Sequence, residues 1–532
     1  MQPQTGAPSL GAERVGACVL LAVAAAALAW ASWKSRTLLL SLGGGSWAHL
    51  AAIRRTLEHG WFPGDAFYAG QATPPDYSLA HVAFALASRL TGIAPHELWT
   101  HSAPWLVLLA IAASFAWFRA LARDERVAAA GAATVLLVQA PDPSWWRMPD
   151  PRALALVPFA GCLLLWVRGA GRDRLAPAIG AGVALGACFD VHVPTGAVCA
   201  LSVGCLALAS GAGLRRLLVT WGVGLLVAAP WIANFVERFL ARDALRLEFF
   251  DRFPEAWALE LDAVTLRAVR FDALSAALPP PLWVPALAGL GICVWRWRAG
   301  RASLAERHAL VTTLAAAGLL LTPLYGVWLE IGRASPARPV LALLLPLLVG
   351  LGVAGAFDAI GAARVGRGVR ALALVALAFA LAATALATRR HVERFAETAS
   401  RLLGPTLPLG GWDLAEQLAR TGPTPRVVLS DPGTSLAWPY RVGSFVVDIP
   451  AASGSPFVDD RSRYLDVRHF FDPRAPLEDL EAILDRYAVD AVAIDASGRR
   501  SPVDRVLLER LRALPGFEDT GCCGELVVLR HR

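Results

Sequence analysis

Lysine and the compact spacings that bind metal ions are both scarce in this sequence. Lys34 is the only lysine, although Lys and Arg together number 50. With abundant alanine, this bias is typical of a GC-rich bacterial genome and carries no functional information. The sequence contains neither paired CxxC motifs nor an HExxH motif, so a zinc site is not predicted.

Signals for nucleotides and nucleic acids are also weak. The turn 430–435 (SDPGTS), which follows a predicted strand, has neither a GxGxxG nor a Walker pattern. An ordinary strand-to-helix turn is predicted there, although a helix N-terminus can also bind a phosphate or a sugar. The net charge of +7 and the pI of about 9.2 come mainly from arginines in short loops, which fit anionic lipid. Nucleic acid is therefore not a predicted partner.

Apolar residues are what the chain has in excess. They make up 56% of the sequence, and the mean hydropathy is +0.48, more than the core of a soluble protein needs. We predict a polytopic α-helical membrane protein with about eleven spans. Their approximate bounds are 13–33, 102–118, 126–140, 153–167, 176–190, 195–212, 216–236, 282–296, 309–328, 340–357 and 370–388.

The distribution of arginine predicts the orientation. If the N-terminus is cytoplasmic, every short loop on that side carries arginine, as the positive-inside rule requires. The long loops 34–101, 141–152, 237–281 and 329–339, with the short 191–194, then lie outside. The sequence predicts a multi-pass protein of the bacterial inner membrane with an extracytoplasmic C-terminal domain. A cleaved signal peptide is the alternative for the first segment.

Two regions outside the spans are expected to fold. Within loop 34–101, apolar stripes predict helices over 46–58 and 78–91, the first lying in the interface plane. From about 390 the composition becomes soluble, and strands at 426–430, 444–449, 489–495 and 525–530 alternate with helical segments. We predict a transmembrane domain over 1–389 and a C-terminal α/β domain with a mostly parallel sheet over 390–532. Loop 237–281 predicts a further amphipathic helix that roofs a cavity.

Carboxylates on the outer face are the sharpest chemical signal, because an acid at a lipid boundary is costly unless it is hydrated, paired or used. They are Asp65, Asp76, Asp142, Asp150, Asp190 and Glu330. Loop 141–152 also holds Trp145, Trp146, Arg147 and Arg152. Tryptophan stacks on sugar rings and arginine binds phosphate, so a binding lip is predicted. Interfacial anchoring by the tryptophans, with arginine–aspartate pairing, is the structural alternative.

Other candidate binding residues lie near the outer face. Arg333 and Arg338 are placed to bind a lipid-linked phosphate or to snorkel. Histidines also concentrate outside, and they are His49, His59, His81, His96, His101 and His192. His192 is a candidate for binding a sugar hydroxyl or a metal. A divalent cation, Mg or Mn, held by Asp142 or Asp65 is the one cofactor predicted.

The arrangement resembles the GT-C superfamily of polytopic glycosyltransferases. The segments 47–54 (WAHLAAIR), 60–65 (GWFPGD), 75–77 (PDY) and 90–92 (LTG) are similar to the first outer loop of many such proteins. The resemblance extends over most of the chain, from a first span and a long first loop to a terminal outer α/β domain. It rests more on this topology than on motifs.

The resemblance implies an enzyme of the cell envelope. Members transfer a hexosyl or pentosyl group from a polyprenyl-phosphate-linked donor to a glycan, lipid or protein acceptor, as mannosyltransferases and oligosaccharyltransferases do. In the family an acidic residue begins the first loop, often a few residues before a histidine such as His49. Here the matching stretch 43–46 reads GGGS, without a carboxylate. Asp65 or Asp76 is then expected to be catalytic, with Asp142 or Asp150 in the second loop binding metal or acceptor.

Two other functions compete with glycosyl transfer. A lipid or glycan flippase is one, although transporters usually have paired halves and charges near the midplane. A catalytically inactive, glycan-binding relative is the other, and the missing carboxylate at Gly45 and Ser46 favours it.

Overall fold

The computed structural model describes residues 21–22, 25–26, 29–30, 32–33, 44–61, 63–69, 78–139, 151–169, 175–211, 213–233, 236, 282–320, 337–362, 414–449, 458, 460–495, 505–521 and 526–531. Two compact units follow from its internal packing. The first comprises Met1–Lys34, Ser102–Ala229 and Glu255–Val392, and the second comprises Ser35–His101, Pro230–Pro254 and Glu393–Arg532. Residues Ser35–His101 and the C-terminal region therefore belong to one unit.

Helices make up the described part of the first unit. They are the end of α3 (Pro95–Ala122), α4 (Glu125–Gln139), α5 (Pro151–Gly169), α6 (Ala176–Val191), α7 (Val193–Ser210), α8 (Leu214–Val227), α9 (Trp283–Arg298), α10 (Leu304–Leu320) and α11 (Ala337–Ala362). Large side chains such as Trp117, Phe118, Phe159 and Trp166 fill the core between them.

Three of the described helices are long and apolar enough to cross a membrane, namely α3, α5 and α7. They match the predicted spans 102–118, 153–167 and 195–212, and α3 begins seven residues earlier than its predicted span. Helix α6 is a shorter apolar helix. The predicted span 370–388 and the amphipathic helix of 237–281 lie outside the described residues, as does most of 13–33. The count of eleven spans stays a prediction.

Glycines set how closely these helices pack. Gly182 and Gly186 lie one turn apart on α6, and a Cβ atom added to Gly182 would be 2.7 Å from the Thr220 carbonyl oxygen of α8. A Cβ atom at Gly186 would likewise be 2.7 Å from the Gly224 carbonyl oxygen. Small residues four apart let membrane helices approach at backbone distance. This close packing fixes α6 against α8.

The second unit combines first-loop helices with a five-stranded sheet. Its helices are α1 (Gly44–His59), α2 (Leu79–Thr91), the first turns of α3, α12 (Leu414–Thr421), α13 (Pro432–Ser435), α14 (Trp438–Arg441), α15 (Asp460–Phe470), α16 (Leu477–Arg486) and α17 (Arg505–Arg512). The strands are β1 (Val427–Ser430), β2 (Phe445–Val446), β3 (Ala491–Asp495), β4 (Phe517–Asp519) and β5 (Leu526–His531).

The sheet has the order β2-β1-β3-β5-β4. The pairs β1–β2 and β1–β3 are parallel, whereas β3–β5 and β4–β5 are antiparallel. The prediction of a mostly parallel sheet is therefore wrong for its second half. The chain returns to β5 through the short strand β4, and this meander pairs neighbouring strands antiparallel. Leu429, Phe470, Val492 and Leu529 form the core on one face.

The apolar stripe of α1 is covered by protein. Leu50 and Ile53 are fully buried, so the expectation that this face lies in the membrane interface is not met. A lipid-facing stripe would be exposed in a protein without its membrane. Burial of this face fixes the orientation of α1 within the second unit.

Candidate functional site

Helices α1, α2 and the start of α3 bring four aromatic rings together. His49 Nδ1 and His81 Nε2 are 3.0 Å apart. The His49 ring stacks on Trp99 with a centroid separation of 5.3 Å, and Phe84 lies 5.1 Å from the same indole. The indole N–H of Trp99 donates to the Ser46 hydroxyl at 3.3 Å. Thus His49, which was predicted to bind substrate, is held by contacts on two sides.

Ser46 and His49 lie one turn apart on α1, so they project from the same side of the helix. Ser46 belongs to the stretch where a carboxylate is missing. The His49–His81 pair is therefore a titratable group on the same side of α1 as Ser46. A neutral imidazole can accept a proton or a hydroxyl hydrogen bond.

The hydrogen bond between the two histidines should be measurable in stability. Replacing His81 by leucine leaves His49 Nδ1 without this partner, and we expect the free energy of unfolding to fall by about 1 kcal/mol. His81→Gln retains hydrogen-bonding groups and should recover part of the loss. His59→Leu, on an exposed side chain of the same α1 helix, is the matched control. Thermal unfolding of the purified full chain measures all three, and equal stability of the His81→Leu variant would contradict the assignment.

Asp65 forms a turn that joins the first loop to the sheet. Its Oδ1 atom accepts from the backbone N–H groups of Phe67 at 2.7 Å and Tyr68 at 3.1 Å. The Phe67 carbonyl accepts from the N–H of Val446 at 2.7 Å, on the edge strand β2. Arg463 stacks over the Tyr68 ring at 4.9 Å and donates to the Val447 carbonyl at 3.0 Å. The Asp65 carboxylate therefore has a fixed position beside the sheet edge.

Arg441 and Tyr440 of α14 contact the first loop. The Arg441 guanidinium lies 4.7 Å from the centroid of the Trp47 ring, a cation–π geometry. The Tyr440 hydroxyl accepts from the His96 backbone N–H at 3.2 Å and lies 2.8 Å from His96 Nδ1. Arg54 donates to the Tyr440 carbonyl at 2.6 Å. These contacts fix the short helix α14 against α1 and α3.

Burial changes the acidity of both α14 side chains. It lowers the pKa of Arg441 to about 10, and it raises the pKa of Tyr440 to about 12. Arg441 is still cationic at neutral pH, and Tyr440 keeps its proton. A buried cation beside an indole and a phenol has the chemistry of an anion or polyol contact.

The predicted site residues are distributed over both units. His49 and Asp65 lie in the second unit, whereas Arg152 and His192 lie in the first. Arg152 is exposed in the first turn of α5. His192 lies between α6 and α7, and its Nδ1 atom accepts from the Thr195 N–H at 3.4 Å. Of Arg338 only the backbone, in α11, is described. Outside the described residues lie Asp76, Asp142, Trp145, Trp146, Arg147, Asp150 and Arg333.

Sequence reasoning did not assign roles to His81, Trp99, Tyr440 or Arg441. His81 was identified only as one of several outer histidines, and nothing in its spacing pointed to His49, which is 32 residues away. Tyr440 and Arg441 lie in a four-residue helix, too short to give a periodic signal.

The described residues contain no group of three or more His, Cys, Asp or Glu side chains arranged to hold a metal ion. Asp65 is one of the described residues, and it belongs to no such group. Calcium takes six to eight oxygen ligands, and magnesium takes about six. A divalent cation thus does not fit this part of the chain by protein ligands alone.

Three solved structures have a similar fold. AglB from Archaeoglobus fulgidus, an archaeal oligosaccharyltransferase in complex with an inhibitory peptide and a dolichol-phosphate, matches 95% of this chain and 73% of its own at 15% identity, with a TM-score of 0.56. ArnT from Cupriavidus metallidurans matches 97% of this chain and 98% of its own at 16% identity, with a TM-score of 0.50.

The arabinofuranosyltransferase AftD from Mycobacteria matches 96% of this chain but only 40% of its own, at 16% identity and a TM-score of 0.50. No protein-family model matches the sequence, and no curated protein does. The likeness shows that this chain shares its fold with an archaeal oligosaccharyltransferase, ArnT and an arabinofuranosyltransferase, as the resemblance to the GT-C superfamily predicts. With its apolar helices, this fold makes the chain a multi-pass membrane protein.

Proposed function

We propose that the protein is a membrane glycosyltransferase that moves a sugar from a polyprenyl-phosphate-linked donor to an acceptor on the extracytoplasmic face. The observation that carries this proposal is the extent of the fold likeness. It covers at least 95% of this chain in three glycosyltransferases, so both the helices and the second unit are included. The match to ArnT covers 97% of this chain and 98% of the ArnT chain, so the likeness is not limited to one part of either protein.

The donor lipid is inferred from two features. AglB was solved with a dolichol-phosphate, which is a polyprenyl phosphate. In the sequence, the outer loops 141–152 and 329–339 each carry two arginines next to apolar segments, and a guanidinium binds phosphate in bidentate geometry. Arg147, Arg333 and Arg338 are the proposed phosphate ligands, and Trp145 and Trp146 are proposed to stack on the sugar.

The proposed reaction needs one proton acceptor. The acceptor hydroxyl loses its proton to a carboxylate, either Asp65 or Asp76, while its oxygen forms a bond to the anomeric carbon. The bond from that carbon to the phosphate oxygen breaks, and the lipid phosphate leaves with the electron pair. General base catalysis of this kind contributes roughly 10²–10⁴ in rate. The described residues contain no group of acids or histidines arranged to hold a metal ion, so no step is assigned to a cation here. Asp142 remains the proposed ligand for a divalent cation.

Sugar transfer by the purified full chain in lipid nanodiscs tests the proposal. The donors are a panel of polyprenyl-phosphate hexoses and pentoses, and the product is free polyprenyl phosphate together with a glycosylated acceptor. Release of lipid phosphate from one donor and not from the others would establish both activity and donor. Intact donors throughout, under conditions where the folded protein binds them, would contradict the transferase proposal.

The missing carboxylate at 43–46 favours one alternative, a catalytically inactive relative that binds glycan. The chain is helical from Gly44, and Ser46 is buried. Neither the two glycines nor this serine offers a group that can take a proton at neutral pH. Binding of a sugar-bearing lipid without any turnover is the outcome that supports this alternative.

A further inference from the structure

Asp190 is a buried carboxyl without a partner. It lies in the last turn of α6, its side chain is 3% exposed, and its Oδ1 atom has no hydrogen-bond partner. No ion pair joins Asp190 to any described residue. One other buried acid of the same unit, Glu306, differs in this respect. Glu306, which is 1% exposed, bonds Arg296 at 2.6 Å and the Ser303 N–H at 2.7 Å.

A buried carboxyl group without a hydrogen-bond partner destabilises the folded protein. Leaving a buried polar atom without a hydrogen bond costs about 1–3 kcal/mol, and more for a charged group. An ionisable side chain among membrane helices is therefore a candidate functional site by default. A ligand that supplied the missing hydrogen bonds would reduce the free-energy cost of burying Asp190.

Asp190 lies close to the C-terminal end of α6. Helix α6 ends at Val191 and α7 begins at Val193, so the chain reverses at His192, two residues after Asp190. The Nδ1 atom of His192 accepts from the Thr195 N–H at 3.4 Å and lies 2.7 Å from the Thr195 hydroxyl. Asp190 is therefore two residues from the connection between α6 and α7.

Packing of α6 against α5 shows which part of α5 lies next to Asp190. Helices α5 and α6 are antiparallel, since the Cys188 thiol lies 3.5 Å from the Ala155 carbonyl oxygen while a Cβ atom at Gly180 would be 3.3 Å from Leu165. Continuing this register places Asp190 at the level of the first turn of α5, near Ala153. Helix N-termini favour negative charge and hydrogen-bond acceptors.

The surroundings select the class of ligand. A divalent cation needs several oxygen ligands, and no second acidic side chain occurs in the described stretches 151–156 and 186–195. A pair of neighbouring hydroxyls needs only the two oxygens of one carboxylate. Carbohydrates carry such pairs, and a carboxyl group accepts from both.

We propose that Asp190 binds hydroxyl groups of the carbohydrate headgroup of a lipid-linked sugar. This deepens the proposed function, on which it rests, by assigning a sugar contact that lies at the α6–α7 connection. It also explains why an unpartnered carboxyl is retained in an apolar helix, since its partner arrives with the substrate.

The test compares Asp190→Asn and Asp190→Leu with wild type in nanodiscs, using polyprenyl phosphate and its hexosyl form as the two probes. Without ligand, Asp190→Leu is expected to raise the midpoint of thermal unfolding, by about 2 °C, because a partnerless polar group is removed. Wild type should bind the hexosyl lipid more tightly than the bare lipid phosphate. Both variants should lose this preference by about 10-fold while binding the bare lipid phosphate as wild type does.

Glu306→Gln is the control, since it alters a buried acid of the same unit that has its own partners. It should lower the unfolding midpoint and leave the sugar preference unchanged. A sugar preference that survives in both Asp190 variants would overturn the Asp190 assignment while leaving the transferase proposal intact. A fall in the midpoint for Asp190→Leu, or failure of both variants to fold, would show a structural role and also overturn it. Absence of any sugar preference in wild type, with the hexosyl lipid and with every other sugar of the donor panel, would contradict both proposals.

Discussion

Asp65→Asn is expected to reduce sugar transfer by at least about 100-fold while leaving the protein folded. The magnitude is that of losing a general base. An asparagine side-chain oxygen can accept the same two bonds from the Phe67 and Tyr68 amides that Asp65 Oδ1 accepts now, because Asn forms the same turn as Asp. The substitution thus removes the basic carboxylate and keeps the local geometry.

Asp65→Ala separates the two roles of this residue. Alanine removes both amide contacts, so the free energy of unfolding should fall by about 1–3 kcal/mol. The link from the Phe67 carbonyl to the Val446 N–H of β2 should weaken with it. Transfer would be lost in both variants, but only Asp65→Ala would also lose stability. Initial transfer rates and thermal unfolding of the same nanodisc samples provide the measurement.

Asp490→Asn supplies a matched control for Asp65. Asp490 belongs to the same unit, and one of its carboxylate oxygens also accepts from two backbone amides, those of Arg426 and Val427, each at 2.8 Å. This variant should retain both stability and transfer. If Asp65→Asn transferred sugar at the wild-type rate, Asp65 would be a turn residue only, and Asp76 would become the proposed proton acceptor.

Gly352→Ala is expected to be among the most destabilising single-methyl additions to the described chain. A Cβ atom at Gly352 of α11 would overlap the Pro285 carbonyl oxygen of α9, and one at Gly289 of α9 would overlap the Leu348 carbonyl oxygen of α11. The two backbones are therefore in direct contact. A carbonyl oxygen within a helix cannot rotate away as a side chain can, so the helices would have to separate. Overpacking of this kind costs about 3 kcal/mol.

Gly291→Ala is the control for this effect. Gly291 lies on the same α9 helix as Gly289, and a Cβ atom there would meet nothing within 4 Å. Alanine should stabilise that position by up to about 1 kcal/mol, because it is the better helix former. Opposite signs for the two variants in thermal unfolding would establish that α9 and α11 pack backbone to backbone. Equal effects would contradict the contact.

Local patterns gave most of the elements correctly. The stripe of Leu50, Ile53 and Leu57 predicted α1, and the structure places that helix at Gly44–His59. The strand prediction at 489–495 matches β3, Ala491–Asp495. The same stripe gave no information on what covers it, and the expectation of a membrane interface was wrong because Leu50 and Ile53 are fully buried. Periodicity identifies an apolar face without identifying its partner.

By itself, the sequence determined that long apolar helices exist, that the first loop folds into helices, and that no carboxylate stands at 43–46. These properties depend on the order of neighbouring residues, because hydropathy and helix periodicity are local. Only the tertiary structure decided that His49 meets His81, that Asp65 joins the first loop to β2, and that Asp190 has no partner. Each of these depends on packing between segments distant in sequence, and hydrogen bonds across such distances follow from the fold as a whole.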